Sequence, residues 1–269
     1  MTTEKFITLN SNSIRTLITG QGQKALVFVH GNSSSADSWN HQSEDIELRE
    51  KYQLISFDLP GHGKSARSNN YRMKDMAIQI ANFIEQLQLD EYILVGLSYG
   101  TCLIAEAAPY IKNCKGFLLA SPNITNNEHP PASWLVPFAE AAAIASASVD
   151  DETLTRFATR MVAESTSPLV NEYKKTYRET DGAFREAIGK AIMESDWSDE
   201  FVNLLNTGLA TCIAFGEHEK MIRTNYLNTY PKKWRDEIFK IPDAAHLINA
   251  EQPFSFNRLL LEFAGDVFK

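Results

Sequence analysis

Four short runs rich in apolar residues, Ala25–Val29, Gln53–Phe57, Tyr92–Val95 and Lys115–Ala120, constrain this chain more than any other feature. Runs of this length and character fit strands covered on both faces, as in a parallel sheet. Between the second and third lies Tyr71–Leu89, where Met73, Met76, Ile80, Phe83, Ile84 and Leu87 recur at helical spacing. That spacing predicts an amphipathic helix. Lys5–Leu9 and Ile14–Thr19 alternate weakly and read as a hairpin, while Thr211–Phe215 and Asp236–Ile241 continue the strand series. Thr101–Ile111 and Pro253–Phe268 read as helices. Alternating buried strands and helices specify an α/β fold with a mostly parallel central sheet flanked by helices.

The rhythm breaks between Ser121 and Gly208. This stretch holds Pro130-Pro131, an alanine-rich segment from Ala139 to Ala147, and helical stretches at Leu154–Glu164, Leu169–Tyr177 and Phe184–Met193. A single crossover needs only about a dozen residues. A helical cap inserted after the sixth strand is therefore expected, with 122–207 as the cap and 1–121 plus 208–269 as the core. Trp134, Leu135, Phe138 and Met161 are too apolar for a solvated lobe. They are expected to line an acyl pocket, the plain alternative being that they pack the cap on the core.

Composition removes several function classes. The chain has 269 residues, 43% hydrophobic and 22% charged, which suits one globular unit with a large core. Lys+Arg of 26 against Asp+Glu of 34 gives a net charge of −8. Such a chain gains little from releasing polyanion counterions, so no nucleic-acid partner is expected. Cys102, Cys114 and Cys212 are scattered and form no Cys-x-x-Cys pair, which suggests reduced thiols and a cytoplasmic location. Met1 to Asn10 carries Glu4 and Lys5 rather than the apolar core of a signal peptide. Val202 to Gly216 is too short to span a bilayer and contains Asn203 and Asn206, so no membrane insertion is expected.

Gly96-Leu97-Ser98-Tyr99-Gly100 carries the chemistry. Alone, Gly-x-Ser-x-Gly is a weak pattern; between a strand and a helix it has the context of a nucleophile elbow. The turn is too tight for side chains two residues either side of the serine. Ser98 is then the candidate nucleophile, and a serine hydroxyl needs a base and the base an orienting acid. Of the histidines after Ser98, His246 sits in a loop after the last strand, whereas His129 falls in the cap and His218 directly follows a strand. His246 is the preferred base. Glu219 in Gly216-Glu217-His218-Glu219 is the preferred acid, with Glu217 second. The backbone N–H groups of Asn32 and Tyr99 are the expected oxyanion donors, since His30-Gly31-Asn32-Ser33-Ser34-Ser35 also follows a buried strand. Ser33 joins the expected substrate pocket, and Asn32 could add a side-chain amide contact. His30 reads as a packed histidine supporting this loop.

Two other chemistries fit poorly. Gly61-His62-Gly63-Lys64-Ser65-Ala66 formally satisfies a dinucleotide fingerprint, but Pro60 precedes it and Asn69-Asn70 separates it from the next helix. No helix N-terminus would then face a pyrophosphate. No two histidines stand two to four residues apart, so the familiar histidine metal motifs are missing and no cofactor or metal is expected.

Taken in order, His30-Gly31, Asp58 to Ser65, the Gly96–Gly100 elbow, Gly216–Glu219 and His246 resemble the α/β-hydrolase superfamily across nearly the whole chain. Within it, the 30–35 and 58–65 segments are most similar to the α/β-hydrolase-fold N-acyl-homoserine lactonases, with small carboxylesterases next. The resemblance implies Glu219 as acid and Asn32 as first oxyanion donor, and Thr180-Asp181-Gly182 also looks similar. Tyr99 departs from the leucine of that group. The implied function is a serine hydrolase acting on a small ester or lactone, favouring N-acyl-homoserine lactones. A general short-acyl carboxylesterase is the alternative, and a cofactor-free oxygenase or small-molecule receptor on the same fold is a third. A serine at position 98 argues against haloalkane dehalogenases and epoxide hydrolases, whose nucleophile is an aspartate.

Overall fold

Residues at alternate positions of the central strands enter two different apolar layers. Val27, Val29, Leu94, Phe117, Leu119, Ile213 and Phe215 face one side of the sheet. Leu26, Phe28, Ile93, Val95, Leu118, Cys212 and Ala214 face the other. A strand's period of two forces this division, and it explains why these strands read as unbroken apolar runs. The computed structural model describes residues 1–9 and 12–269. Asn10, the last residue of the stretch weighed above as a signal peptide, lies outside them.

Eight strands form one sheet: β1 (Thr3–Leu9), β2 (Asn12–Gly20), β3 (Ala25–Val29), β4 (Gln53–Phe57), β5 (Tyr92–Leu97), β6 (Cys114–Ala120), β7 (Ala210–Gly216) and β8 (Lys233–Ile241). Their order is β1-β2-β4-β3-β5-β6-β7-β8. β1 and β2 pair antiparallel, β2 meets β4 antiparallel, and every later pairing is parallel. The chain thus has the expected α/β-hydrolase architecture. β8 begins three residues before the expected Asp236, because Lys233 pairs with Thr211 across a register shift.

The helices are α1 (Asn40–Glu44), α2 (Ile46–Lys51), α3 (Met73–Gln86), α4 (Tyr99–Ala107), α5 (Pro131–Trp134), α6 (Ala142–Ala145), α7 (Asp151–Arg160), α8 (Leu169–Glu179), α9 (Gly182–Glu194), α10 (Glu200–Asn206), α11 (Ile248–Glu251) and α12 (Pro253–Val267). α3 buries Met76, Ile80, Phe83 and Ile84, the face its spacing predicts. α1 and α2 were not legible, since each is too short to display a period. Asp150 and Asp199 cap α7 and α10 by accepting from Thr153 and Val202 amides at 2.8 and 2.9 Å.

Between β6 and β7 run the helices α5 to α10. α10 packs on α4. Phe184 of α9 anchors the helical insertion to the core: it is fully buried and meets His62, Tyr71 and Tyr99 with ring centroids 4.4, 5.8 and 5.2 Å away. Asp181 adds a polar tie, accepting from Tyr71 Oη at 2.9 Å while its own amide donates to Gly61 at 2.8 Å. Cys102, Cys114 and Cys212 are free thiols. Among the described residues no helix is long and apolar enough to cross a membrane.

Candidate active site

β5 ends at Leu97 and α4 begins at Tyr99, leaving Ser98 at the corner with φ 50° and ψ −122°. Such a conformation costs a non-glycine residue roughly 1–3 kcal/mol. The flanking glycines make the corner possible. A Cβ on Gly96 would lie 2.7 Å from Ile104 Cδ1 and 3.0 Å from the Gly100 carbonyl carbon. A Cβ on Gly100 would sit 2.4 Å from the Val29 carbonyl oxygen. The first clash is the local crowding expected from the motif; the second comes from β3 passing alongside. α4 starts two residues earlier than expected, so the Tyr99 N–H stands at the positive end of the helix without an acceptor among the described residues.

His246 is held at every polar atom. Nε2 lies 2.8 Å from Ser98 Oγ, and Nδ1 lies 2.8 Å from Glu219 Oε2. Its backbone N–H donates to the Met161 carbonyl at 3.0 Å, and its carbonyl accepts from Ser121 Oγ at 2.8 Å. Ser121 follows β6, and Met161 follows α7. Glu251 braces the same loop, accepting from Ala245 N–H at 2.8 Å and from Ala163 N–H at 2.6 Å. Lys220 Nζ donates to the Val162 and Ala163 carbonyls at 2.7 and 3.1 Å. Ser121, Lys220 and the contact of Glu251 with Ala163 escaped the sequence reading because these partners lie far away along the chain.

Glu219 Oε1 accepts from the amides of Met221 and Ile222 at 2.8 and 3.3 Å, leaving Oε2 for the histidine. Burial works against its charge, but the adjacent His246 ring and these amides hold its pKa below the usual glutamate value. An ionised Glu219 accepts a hydrogen bond from Nδ1–H, which keeps the proton on that nitrogen and leaves the Nε2 lone pair facing Ser98. Glu217, the second choice, is exposed, as is His218. With Asp243 these two place possible ligand atoms within 4.8 Å of one another, all on the exposed surface. His129 stacks on Phe201, with ring centroids 5.3 Å apart.

The loop that carries Asn32 is built from both sides. His30 is fully buried, with Nδ1 2.8 Å from the Gly31 carbonyl, while Nε2 accepts from the Leu59 amide at 3.0 Å. Burial pushes its pKa down, which favours the neutral ring that this pattern requires. Asp58 joins two loops, accepting from the Ala36 and Lys64 amides at 2.7 and 2.8 Å. The glycine-rich 61–66 segment is thus a turn folded on Asp58, and the next helix starts only at Met73. The Asn32 backbone N–H has no acceptor among the described residues. Its side-chain amide, weighed above as a substrate contact, donates to the Ile144 carbonyl at 3.1 Å.

Two expected pocket residues lie elsewhere. Ser33 is fully buried in a left-handed turn (φ 57°), donating to Asn32 Oδ1 at 2.8 Å and accepting from Arg185 at 2.9 Å. Arg185 also donates to the carbonyls of Ser146, Ala147 and Tyr177 and stacks on the Tyr177 ring. It therefore ties the Asn32–Ser33 loop to the insertion. Phe138 packs on Phe157, with centroids 6.0 Å apart and the Arg160 guanidinium over its other neighbourhood at 4.9 Å. It does not reach the cavity wall.

A cavity of about 700 Å³ opens over Ser98 and His246. Trp134, Leu135 and Met161 line it, with Asn32, Tyr99 and Leu247. Among the described residues its wall contains no lysine or arginine, while Asp37, Glu44, Glu172, Asp196 and Glu200 all contribute to it. Its size suits a small organic ligand.

Residues 24–253 match the alpha/beta hydrolase fold family. Over 97% of its length the chain is 22% identical to the dihydrolipoyllysine-residue acetyltransferase component of the acetoin cleaving system of Cupriavidus necator, covering 69% of that protein. In structure it is similar to the N-acyl homoserine lactonase AidH complexed with N-butanoyl homoserine, at a TM-score of 0.89 and 20% identity, covering 98% of this chain and 97% of that one. A putative aryl esterase from Burkholderia cenocepacia superposes at a TM-score of 0.82 with 20% identity, covering 99% of both chains. At these identities the structural likenesses establish the shared fold.

Proposed function

The chain belongs to the α/β-hydrolase fold family, and on that premise we propose that it is a serine hydrolase cleaving a neutral carboxylic ester or lactone, with N-acyl-homoserine lactones the favoured substrates. The observation that carries this reading is the unbroken Glu219–His246–Ser98 line, 2.8 Å at each step, ending in the cavity. His246 Nε2 takes the Ser98 proton as Oγ attacks the carbonyl carbon. The developing oxyanion meets the free N–H groups of Asn32 and Tyr99. Collapse breaks the acyl–oxygen bond, and the leaving oxygen takes the proton from His246. Water, deprotonated by the same nitrogen, then releases the acid and restores Ser98.

Substrate class follows from charge. A wall with carboxylates and no lysine or arginine offers an anionic substrate no counter-charge. A neutral acyl ester or lactone suits it better. The lactone preference draws on the structural likeness to AidH. A lactone also keeps its leaving alkoxide tethered to the acyl-enzyme, where it can reclose, so controlled water entry matters. A short-acyl or aryl ester is the second reading, favoured by the likeness to the aryl esterase.

The test is product mass with N-acyl-homoserine lactones and aryl esters as substrates. Ring opening adds one water to the intact lactone, whereas amide cleavage releases a free fatty acid. Ser98→Ala should lower kcat at least about 10³-fold while folding normally, and a fluorophosphonate probe should label Ser98. EDTA should leave activity unchanged, since each proton transfer is assigned to a protein atom. Aryl-ester turnover without lactone opening would favour the second reading, and an active Ser98→Ala variant would remove both.

A further inference from the structure

Glu200 has a position that ester cleavage alone does not explain. It is the first residue of α10, is fully buried and forms part of the cavity wall. Oε2 accepts from the Thr125 amide at 2.6 Å, and Oε1 has no partner among the described residues. The indole nitrogens of Trp134 and Trp197 are likewise buried without an acceptor, and both residues line the same cavity. Trp134 is only 6% exposed. Three buried polar atoms, on three residues that line the cavity, therefore lack partners among the described residues.

Their chemistry specifies the missing group. Burial, and then the neighbouring Glu106 carboxylate, push the Glu200 pKa well above the usual glutamate range, which favours the protonated acid. With the Thr125 amide directed at Oε2, the acid proton belongs on Oε1. These three residues then hold one carboxyl O–H and two indole N–H donors without an acceptor among the described residues. An all-methylene acyl chain would leave them unsatisfied, which is costly in a buried site.

We propose that Glu200, with the indoles of Trp134 and Trp197, forms a hydrogen-bonding subsite for an acceptor oxygen on the substrate, a keto or amide carbonyl separate from the one attacked by Ser98. The cavity thereby distinguishes oxygenated acyl groups from plain hydrocarbon ones. This assignment rests on the reading of the cavity as the substrate site, and it deepens that reading by naming what the acyl group carries.

Binding tests it without turnover. Ethyl hexanoate and its 3-oxo, 4-oxo and 5-oxo analogues are titrated against Ser98→Ala, with tryptophan fluorescence and calorimetry as readouts. At least one oxo ester should bind about tenfold or more tightly than the parent. The preference should survive in Ser98→Ala/Glu200→Gln, whose amide still donates, and collapse toward unity in Ser98→Ala/Glu200→Leu. Glu200→Met replaces the leucine variant if that one fails to fold. Equal affinities for parent and oxo esters would overturn the subsite, as would a preference that persists after Glu200→Leu or Glu200→Met, because the carboxyl is then satisfied by water alone. Hydrolysis of the same esters by the unaltered protein reports separately on the Ser98 reading, so the two can fail independently.

Discussion

The backbone N–H of His246 donates to the carbonyl of Met161 at 3.0 Å, across 85 residues of sequence. The residue proposed as general base is thus aligned by the helical insertion as well as by the sheet. The same insertion holds the oxyanion loop through Arg185 and Ser33. Both halves of the proposed machinery depend on one packed lobe. A displacement there would reach the proposed base and the proposed oxyanion donors together.

Glu251 should behave as a positioning residue. Its two oxygens accept from Ala163 and Ala245, and Glu251→Gln would aim an N–H at one of those donors. The expected result is a loss of about 1–3 kcal/mol of stability. We also expect kcat to fall several-fold with little change in KM, because the His246 loop shifts while the cavity wall stays. Steady-state kinetics beside a denaturant midpoint checks this, and unchanged kcat at lowered stability would reduce Glu251 to a purely structural brace.

Glu219→Gln should slow turnover at least about 10²-fold, whereas Glu217→Gln should alter it less than about twofold. The first removes the charge that stabilises the His246 imidazolium; the second changes an exposed side chain. The folded pKa of Glu219 lies below its ordinary value. Its contribution to stability is therefore present above about pH 4.5 and lost as pH falls through the lowered value. Acid denaturation of Glu219→Gln against the unaltered protein measures that loss.

Trp134→Ala and Met161→Ala should change acyl-length preference, because both side chains line the cavity. Phe138→Ala should leave preference alone and cost about 2–4 kcal/mol or less, its ring being only half-buried against Phe157 and Arg160. Rates with a homologous series of esters, set beside thermal midpoints, separate the two effects. A Phe138→Ala variant with altered length preference would contradict the packing described.

Glu200 gives stability an opposite dependence on pH. Its folded pKa is raised, so above about pH 4.5 the native chain keeps a proton that the unfolded chain has lost. Stability from this group therefore falls as pH rises toward the folded value. Glu200→Gln removes the titration, and its stability relative to the unaltered protein should improve with pH by up to about 1.4 kcal/mol per pH unit. Denaturant midpoints of both proteins from pH 5 to 8 provide the comparison, and parallel curves would show that Glu200 is not held neutral.

What the chain itself determined is what local sterics and periodicity can encode. Five-residue apolar runs made parallel strands because no other element buries both faces of so short a segment. Gly96 and Gly100 announced the corner at Ser98, since only a residue without a side chain fits there. Motif order placed Ser98, Glu219 and His246 after the ends of β5, β7 and β8, where the structure brings their side chains into hydrogen-bond contact. Tertiary structure decided everything that depends on partners distant in sequence. Ser33 became a buried joint because Arg185, 152 residues away, claims its hydroxyl. Phe138 left the cavity because Phe157 and Arg160 offer it a closer surface. Ser121 and Glu251 acquired their places beside His246 only through hydrogen bonds that packing creates. Glu200 could not be recognised as a protonated acid from its neighbours in sequence, because desolvation is a property of the folded interior and has no local signature.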